Sequence, residues 1–528
     1  MKTQDTLKTR SSGHKGPLTL TLSSFVAAAL IYLTVPVVIF FLGYLKIWWG
    51  LLFTGLTVTA LVWTVKDLKK TQKSLTDPEP SITISPSYLY VIIPLILILL
   101  FIAGVSEYAW SLIDHRVRYA ILNDLVNYSW PVVYDFSTQE NPVVIEALST
   151  IPYTRAAFAY YFVFWMVPAV FGKVFGLGVA RAVLFAWSAG GLFLVSLGAC
   201  FLYGKASKVL FAAVMLFSGF DYIPYTINNL IGTGATWEGW NQHLYIHGNY
   251  YQLFNVFNQS IPGWLITILL LLMINRRGLG LLGSLMFCYS PWAAIGFLPL
   301  CVCRLIMRDK AGTKFSVRDI FTPGNIIAPV VFFVCFAPLY TANSLATSSD
   351  GFIWEFYDTP LDLVIDYIKY AVFEFGIWFL LIIWRNKKNP LLWVSLGTLL
   401  VMPVYKITIM NDFIMRGSMA PMFIIGLYAC MFVTDYFYVC LNDKKFNLKS
   451  WIVVLALILA AYVPGNMFVT SAFMTYDIRV TKEHPEEDIS HDIESFGNVR
   501  KEDELGMVVT QFYVFNYEDQ FFFKYLAR

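Results

Sequence analysis

Asp114 lies in the stretch Glu107-Tyr-Ala-Trp-Ser-Leu-Ile-Asp114-His115-Arg116-Val-Arg118, a few residues beyond an apolar run. A carboxylate beside the interfacial Trp110 sits where a bilayer surface meets water, which suits a base acting on a hydroxyl presented at that surface. The same spacing allows a plainer reading, an ion pair with Arg116 or Arg118 on a solvated helix. Glu107 precedes Asp114 by seven positions and would share its face if the stretch were helical, making it a candidate second carboxylate. Glu374 lies inside the short apolar run Tyr370 to Trp384. An acid at that depth is costly unless paired, so it is a functional candidate, with Lys369 or Arg416 as the expected answering charge. The segment Phe220 to Gly263 adds Asp221, Trp237, Glu238, Trp240, His243, His247 and a Tyr/Asn-rich run from Asn249 to Gln259. Flat aromatic faces with amides suit a sugar groove and equally suit any loop at a membrane interface. Trp237, Glu238, Trp240, His243 and Gln259 are the acceptor-binding candidates. His243 and His247 lack a third ligand, and His484, Asp488 and His491 read as part of a solvated acidic segment, so no metal site is expected.

The elements carrying these residues must be membrane helices. Of 528 residues, 57% are hydrophobic, 17% aromatic and only 14% charged, with a mean hydropathy of +0.61. Soluble chains carry about 25% charged residues to cover their surface. The composition therefore specifies an all-α polytopic membrane protein whose partner is the lipid bilayer. A formal charge of +3 gives no reason to expect nucleic acid. The seven cysteines fall in or beside apolar stretches without metal-ligand spacing and read as small buried hydrophobes.

Basic residues order the spans. The polar segment Met1 to Pro17 precedes an apolar run, Leu18 to Leu45, with no small-residue cleavage site, which reads as an uncleaved first span. Lys66 to Lys73, Lys205/Lys208, Arg276/Arg277, Arg304 to Arg318, Arg385 to Lys388 and Lys444 to Lys449 bound later apolar runs and mark cytoplasmic loops. Phe220 to Gly263 has no Lys or Arg and belongs outside. Keeping all basic clusters on one side requires Ala156 to Phe175 to lie along the outer interface as a helix that Pro168 and Gly172–Lys173 bend and end. About thirteen transmembrane helices result, with the N-terminus cytoplasmic and the C-terminus extracytoplasmic. The expected division is 1–87 (two extra spans and a linker from Asp77 to Ser87), 88–468 (the main membrane module) and 469–528 (an outer tail). The outer loops are 107–176, 220–263, 344–369 and 406–418. The location expected is the plasma (inner) membrane.

A span, an outer loop opening with an acid, an interfacial segment ending Phe171-Gly-Lys-Val-Phe-Gly176, then Ala180-Arg-Ala and a span closed by Tyr203-Gly-Lys205 form an order that resembles the GT-C glycosyltransferases. Protein O-mannosyltransferases and lipid A aminoarabinose transferases share it. The resemblance covers roughly Tyr88 to Gly219 and the general topology beyond. It implies a GT-C-like fold, a polyprenyl-phosphate-linked sugar donor, transfer on the non-cytoplasmic face, no cofactor, and Asp114 as catalytic base. Two features depart from the pattern: two spans precede the module, and His115 stands where a second acid is usual. Such a donor leaves charge on phosphate, which Arg stabilises through a bidentate fork. Lys406 and Arg416, with Arg116 and Arg118, are the phosphate-binding candidates. Arg416 can instead pair with Asp412 at i+4. A transporter or flippase, or a polymerase of envelope polysaccharide, is the alternative from another class.

Overall fold

A computed structural model of the chain describes residues 18–75, 78–112, 114–149, 153–230, 239–309, 312–342, 350–408, 411–443, 448–482, 495–498 and 510–528. Among them, eight helices are long and apolar enough to cross a membrane: Leu22–Tyr44, Ile47–Leu75, Leu177–Tyr203, Asn249–Leu272, Pro323–Thr341, Pro360–Asn386, Met419–Cys440 and Trp451–Thr481. Five shorter apolar helices accompany them: Pro86–Ile102, Val163–Phe175, Leu279–Tyr289, Pro291–Ile306 and Pro390–Val404. The protein is a multi-pass, all-α membrane protein. Leu380 and Trp384 on one span and Val330 and Phe333 on another point outward, as lipid-facing residues do.

Local sequence sets where the helices start. Ser85-Pro86, Ser290-Pro291, Thr359-Pro360 and Asn389-Pro390 each place a capping side chain, bonded to a backbone N–H of the first turn, ahead of a proline at the first helical position. The cap satisfies an orphan donor, and proline has none to satisfy. The helix Asn249–Leu272 is the axis of the bundle, almost wholly enclosed by the others. Glycines set its closest approach to the helix Leu177–Tyr203: a Cβ at Gly191 would come within 2.6 Å of Ile261, and one at Gly198 within 2.5 Å of Ile268. Small residues at such crossings let apolar helices pack by contact where lipid removes the hydrophobic drive.

The two leading spans are part of this packing. Phe25 and Tyr32 reach Gly198 and Gly191, and one continuous apolar core runs from Leu22 to Ala527. At one end of the bundle, buried Arg276 donates to the carbonyls of Met307 and Thr313 at 2.8 and 2.6 Å and to Asp319 at 3.2 Å. Arg277 reaches Asp67 and Asp319, each at 3.3 Å. Loops read as sharing a side therefore meet. The seven cysteines are free, five of them buried and two partly so.

Several boundaries differ from the sequence reading. Leu18–Thr21 is a strand paired antiparallel with Ser81–Ile84, inside the supposed linker. Ala156 to Phe175 is no single helix. It opens with the strand Arg155–Phe158, the middle member of a sheet with Val133–Asp135 and Tyr513–Val514, and becomes a helix only at Met166–Phe175. At ten residues that helix is too short to cross. Gly172 stands inside it, where a Cβ would fall 2.7 Å from Ala180. The loop expected over 220–263 stops at Gly248, because Asn249 to Gly263 is already the central helix. The loop expected over 344–369 ends at Thr359, since Pro360 opens a helix running to Asn386.

Candidate functional site

Asp114 opens the helix Asp114–Asn127 with its side chain 54% exposed, 3.7 Å from Arg118 one turn on. Adjacent helical positions diverge by about 100°, so His115 turns inward. It is fully buried, bonded to the carbonyl of Phe254 and enclosed by the rings of Tyr119, Phe254 and Phe257. Burial first, then the Arg118 charge, pushes His115 down to about 3, so it is a neutral strut. The Arg116 side chain lies outside the described residues.

Arg118 is 6% exposed, and its Nε and Nη1 have no hydrogen-bond partner among the described residues. Tyr160 and Tyr161 follow the strand Arg155–Phe158 after Ala159, their ring centroids 3.8 Å apart. Both residues are half-buried, with their hydroxyls pushed up first by that burial, and both sense the charges of Arg118 and Arg416. Arg416 stands on the helix Asp412–Gly417, 3.5 Å from Asp412, with its side chain 11% exposed and its Nε likewise without a partner. Burial works against the Arg416 charge, but Asp412, Tyr161, Tyr160 and Asp114 outweigh it and hold the group above its ordinary value. Segments some 250 to 300 positions apart thus bring Asp114, Arg118, the tyrosine pair, Asp412 and Arg416 into one electrostatic cluster.

Two buried guanidinium groups with unpaired N–H donors are energetically expensive, since a desolvated donor without an acceptor forfeits its hydrogen bonds to water. An oxyanion between them would supply acceptors and charge together. His247 borders the cluster. Burial, then the Arg416 charge, pushes it down to about 3, and its ring packs 4.7 Å from that of Tyr251.

Other candidates go elsewhere. Glu107 does not share a helix face with Asp114: it has a positive φ of 64° in a short turn ahead of the helix and forms a close ion pair with Arg181. Lys406 is buried in the strand Tyr405–Lys406, paired with Gly351–Phe352, its ammonium 4.1 Å from the Phe356 ring centroid. Burial lowers its pKa, and its electrostatic neighbours are Asp350 and His243, not the arginine pair. His243 is pushed down to about 4, by burial and then by Lys406.

Glu374 is answered by neither Lys369 nor Arg416. It sits fully buried in the π-helical segment Tyr370–Gly376, accepts from the Trp240 indole at 2.8 Å and lies beside Asp221, the two carboxylates 3.0 and 3.1 Å from where a Gly219 Cβ would fall. Lys369 pairs with Asp366 at 3.1 Å. Trp240 is therefore an internal donor, not an exposed sugar platform. Gln259 is within the central helix, accepting from Ser290 at 2.8 Å. Trp237 and Glu238 lie outside the described residues, as do His484, Asp488 and His491. Among the described residues no three His, Cys, Asp or Glu side chains could jointly hold a metal.

Sequence reasoning missed Tyr160 and Tyr161, and it singled out Asp221 only as part of an outer loop, without its place beside Glu374. The tyrosines were visible in the aromatic run Phe158 to Trp165, but aromatics at an interface are common enough to mask a pair aimed at two arginines. Arg181 was in plain view within Ala180-Arg-Ala, without a sign of its partner. Set against protein-family models, curated proteins and solved structures, the chain matches none.

Proposed function

We propose that this protein is a GT-C-type membrane glycosyltransferase that moves a sugar from a polyprenyl-phosphate-linked donor to a hydroxyl of an envelope glycan, lipid or protein on the non-cytoplasmic face. The observation that carries the reading is that Arg118 and Arg416, each with a buried N–H unpartnered among the described residues, both act on the tyrosine pair Tyr160/Tyr161, while the accessible carboxylate Asp114 lies 3.7 Å from Arg118. Asp114 takes the proton of the acceptor hydroxyl, the hydroxyl oxygen bonds to the anomeric carbon, and the anomeric C–O bond breaks with its electron pair passing to the phosphate. Arg118 and Arg416 neutralise that phosphate as it departs, with the tyrosine hydroxyls as further donors. In this orientation the N-terminus is cytoplasmic, the C-terminal tail is outside, and the membrane is the plasma membrane.

The test is transfer of labelled sugar from polyprenyl-phosphate donor by membranes holding the wild type, Asp114→Asn, or Arg118→Gln with Arg416→Gln. Transfer falls by at least about 100-fold in each variant; equal transfer by Asp114→Asn removes the base.

One observation favours a lipid or glycan flippase instead. Asp221 and Glu374 are both fully buried and lie side by side among the helices, where an acid is costly unless it serves a function. A flippase loses lipid translocation in reconstituted vesicles with Asp221→Asn and keeps it with Asp114→Asn. A transferase shows the reverse dependence in its own assay.

A further inference from the structure

A cavity of about 320 Å³, sharing no residue with the arginine cluster, lies where the helices Pro86–Ile102, Lys208–Met215, Asn249–Leu272 and Trp451–Thr481 come together. Leu95 and Leu99 come from the first of these, Met215 from the second, Tyr250 from the third, and Gly465 and Phe468 from the fourth. Among the described residues its wall contains no Lys, Arg, Asp or Glu. Val469, also in the wall and within a span, is 48% exposed, so the cavity opens toward lipid.

Two separate observations show the space to be kept open for an occupant. Gly465 lines it, and a Cβ built there meets nothing within 4 Å, so a larger residue could have started to close the gap without a clash. Tyr250 lines it too. It is 1% exposed, its ring centroid is 5.9 Å from that of Phe468, and its hydroxyl has no hydrogen-bond partner among the described residues. A phenol desolvated without an acceptor forfeits its hydrogen bonds to water, and phenylalanine would fill the same volume without that loss. The helix Trp451–Thr481 is also the least enclosed of the eight long helices, 28% buried against 94% for the central helix across the cavity.

The chemistry of the wall selects the occupant. An apolar cavity of about 150 Å³ stays dry and admits benzene, so one about twice that size takes an apolar segment of about twelve carbon atoms. The Tyr250 hydroxyl calls for one acceptor beside that segment, and a wall without a cation requires the acceptor to be uncharged. An acyl chain headed by its ester carbonyl meets both demands. A polyprenyl phosphate does not, since its only oxygens are those of a charged phosphate.

We propose that this cavity is a binding site for an ester-linked acyl chain of a bilayer glycerolipid, with the Tyr250 hydroxyl donating to the ester carbonyl and the chain filling the gap left at Gly465. The lipid completes the packing of Trp451–Thr481 on the central helix. The site is independent of the function proposed above.

The full-length protein is reconstituted in nanodiscs of equal parts ester-linked and ether-linked phosphatidylcholine with chains of the same length, and the lipids retained on release are counted by native mass spectrometry. The two lipids differ at the carbonyls, so the comparison reads the Tyr250 hydrogen bond. The wild type is expected to retain the ester lipid over the ether lipid by about fivefold. Tyr250→Phe is expected to bring that ratio to about twofold or less while still retaining lipid. Gly465→Leu, which fills the space, is expected to lower retention of both lipids by at least about fivefold with Tm unchanged or higher. A ratio near one in the wild type, or one that Tyr250→Phe leaves at its wild-type value, overturns the proposal. So does a folded Gly465→Leu that retains both lipids as before; should that variant fail to fold, Tyr250→Phe decides by itself. In discs doped with polyprenyl phosphate, loss of that lipid alone in Gly465→Leu assigns the cavity to an isoprenoid chain and likewise overturns the acyl-ester site.

Discussion

Gly296 tests whether the position of Arg416 is imposed by backbone packing. It lies on the helix Pro291–Ile306, and a Cβ built there would fall inside the contact distance of the Gly417 carbonyl, 2.7 Å from its carbon and 3.2 Å from its Cα. Carbon atoms rest at about 3.5–4.0 Å, so Gly296→Ala must part the two segments by about 1 Å. Neither obstacle is a side chain that can rotate away, and Gly417 is held from its other side by Met402. Overpacking of this kind costs about 1–3 kcal/mol. Arg416, the preceding residue, moves with Gly417. A displacement of about 1 Å at a positioned charge is worth about 100-fold in rate. The assay is thermal unfolding of the detergent-solubilised chain together with titration of polyprenyl phosphate. Gly283→Ala serves as control, because a Cβ there meets nothing within 4 Å and should be neutral or stabilising by up to about 1 kcal/mol. Both variants stable, with wild-type affinity for the lipid phosphate, would refute the claim that backbone contact at Gly296 fixes the arginine.

Other perturbations address the surrounding supports. Arg181→Ala leaves the Glu107 carboxylate, 5% exposed, without its cation; the loss should lie near the lower end of roughly 3–5 kcal/mol because Arg181 itself is 29% exposed, and Glu107→Gln in the same chain should restore most of the Tm. Trp240→Phe removes the indole donor to Glu374 and should cost about 1–3 kcal/mol in thermal unfolding, whereas Glu374→Gln keeps an acceptor oxygen and should cost under about 1 kcal/mol. Asp124 is buried where the tail docks, accepting from Tyr134 at 2.8 Å and from the Phe496 N–H at 3.0 Å, and burial pushes it up from 3.8 to about 7. Its docked pKa exceeds the undocked one, so its contribution to docking is complete below pH 4 or so and is lost as pH rises through about 7. Protection factors at 495–498 and 513–514, corrected for the base-catalysed intrinsic rate of amide exchange, should therefore be higher at pH 5 than at pH 8 in the wild type and the same at both in Asp124→Asn.

How far the sequence revealed all this depended on the kind of interaction. Charge scarcity and apolar run length identified a membrane bundle because both follow from the bilayer alone. The candidate base and Arg416 were identifiable because cations assigned to the outer face were few. Arg118 and Arg416 act on the same tyrosines, Tyr160 and Tyr161, from segments remote in the chain, and periodicity holds no record of such distances. Glu107 was misplaced because a positive φ cannot be read from an Ala/Trp/Ser stretch that passes for helix. Trp240 and Gln259 were misread for a related reason: amides and indoles bond as readily inside a bundle as in a groove. The central helix begins at Asn249 in a Tyr/Asn-rich run whose polarity argued for a loop, and only enclosure by other helices makes it a helix.

The three-stranded sheet beside the site sets an order of assembly. Its strands at Val133–Asp135 and Arg155–Phe158 belong to the segment between the helices Pro86–Ile102 and Leu177–Tyr203, while Tyr513–Val514 follows the last span. Phe512, next to that strand, stacks edge-on against Tyr160 at 5.0 Å. The tyrosine pair facing the arginines thus receives its support only after every span has been inserted and the tail has followed. During synthesis a chain with all its helices in the bilayer still lacks a braced site, so an intermediate halted before the tail is delivered would hold the membrane bundle without a finished centre. The sheet is complete only once its most distant strand, which follows the last span, has paired.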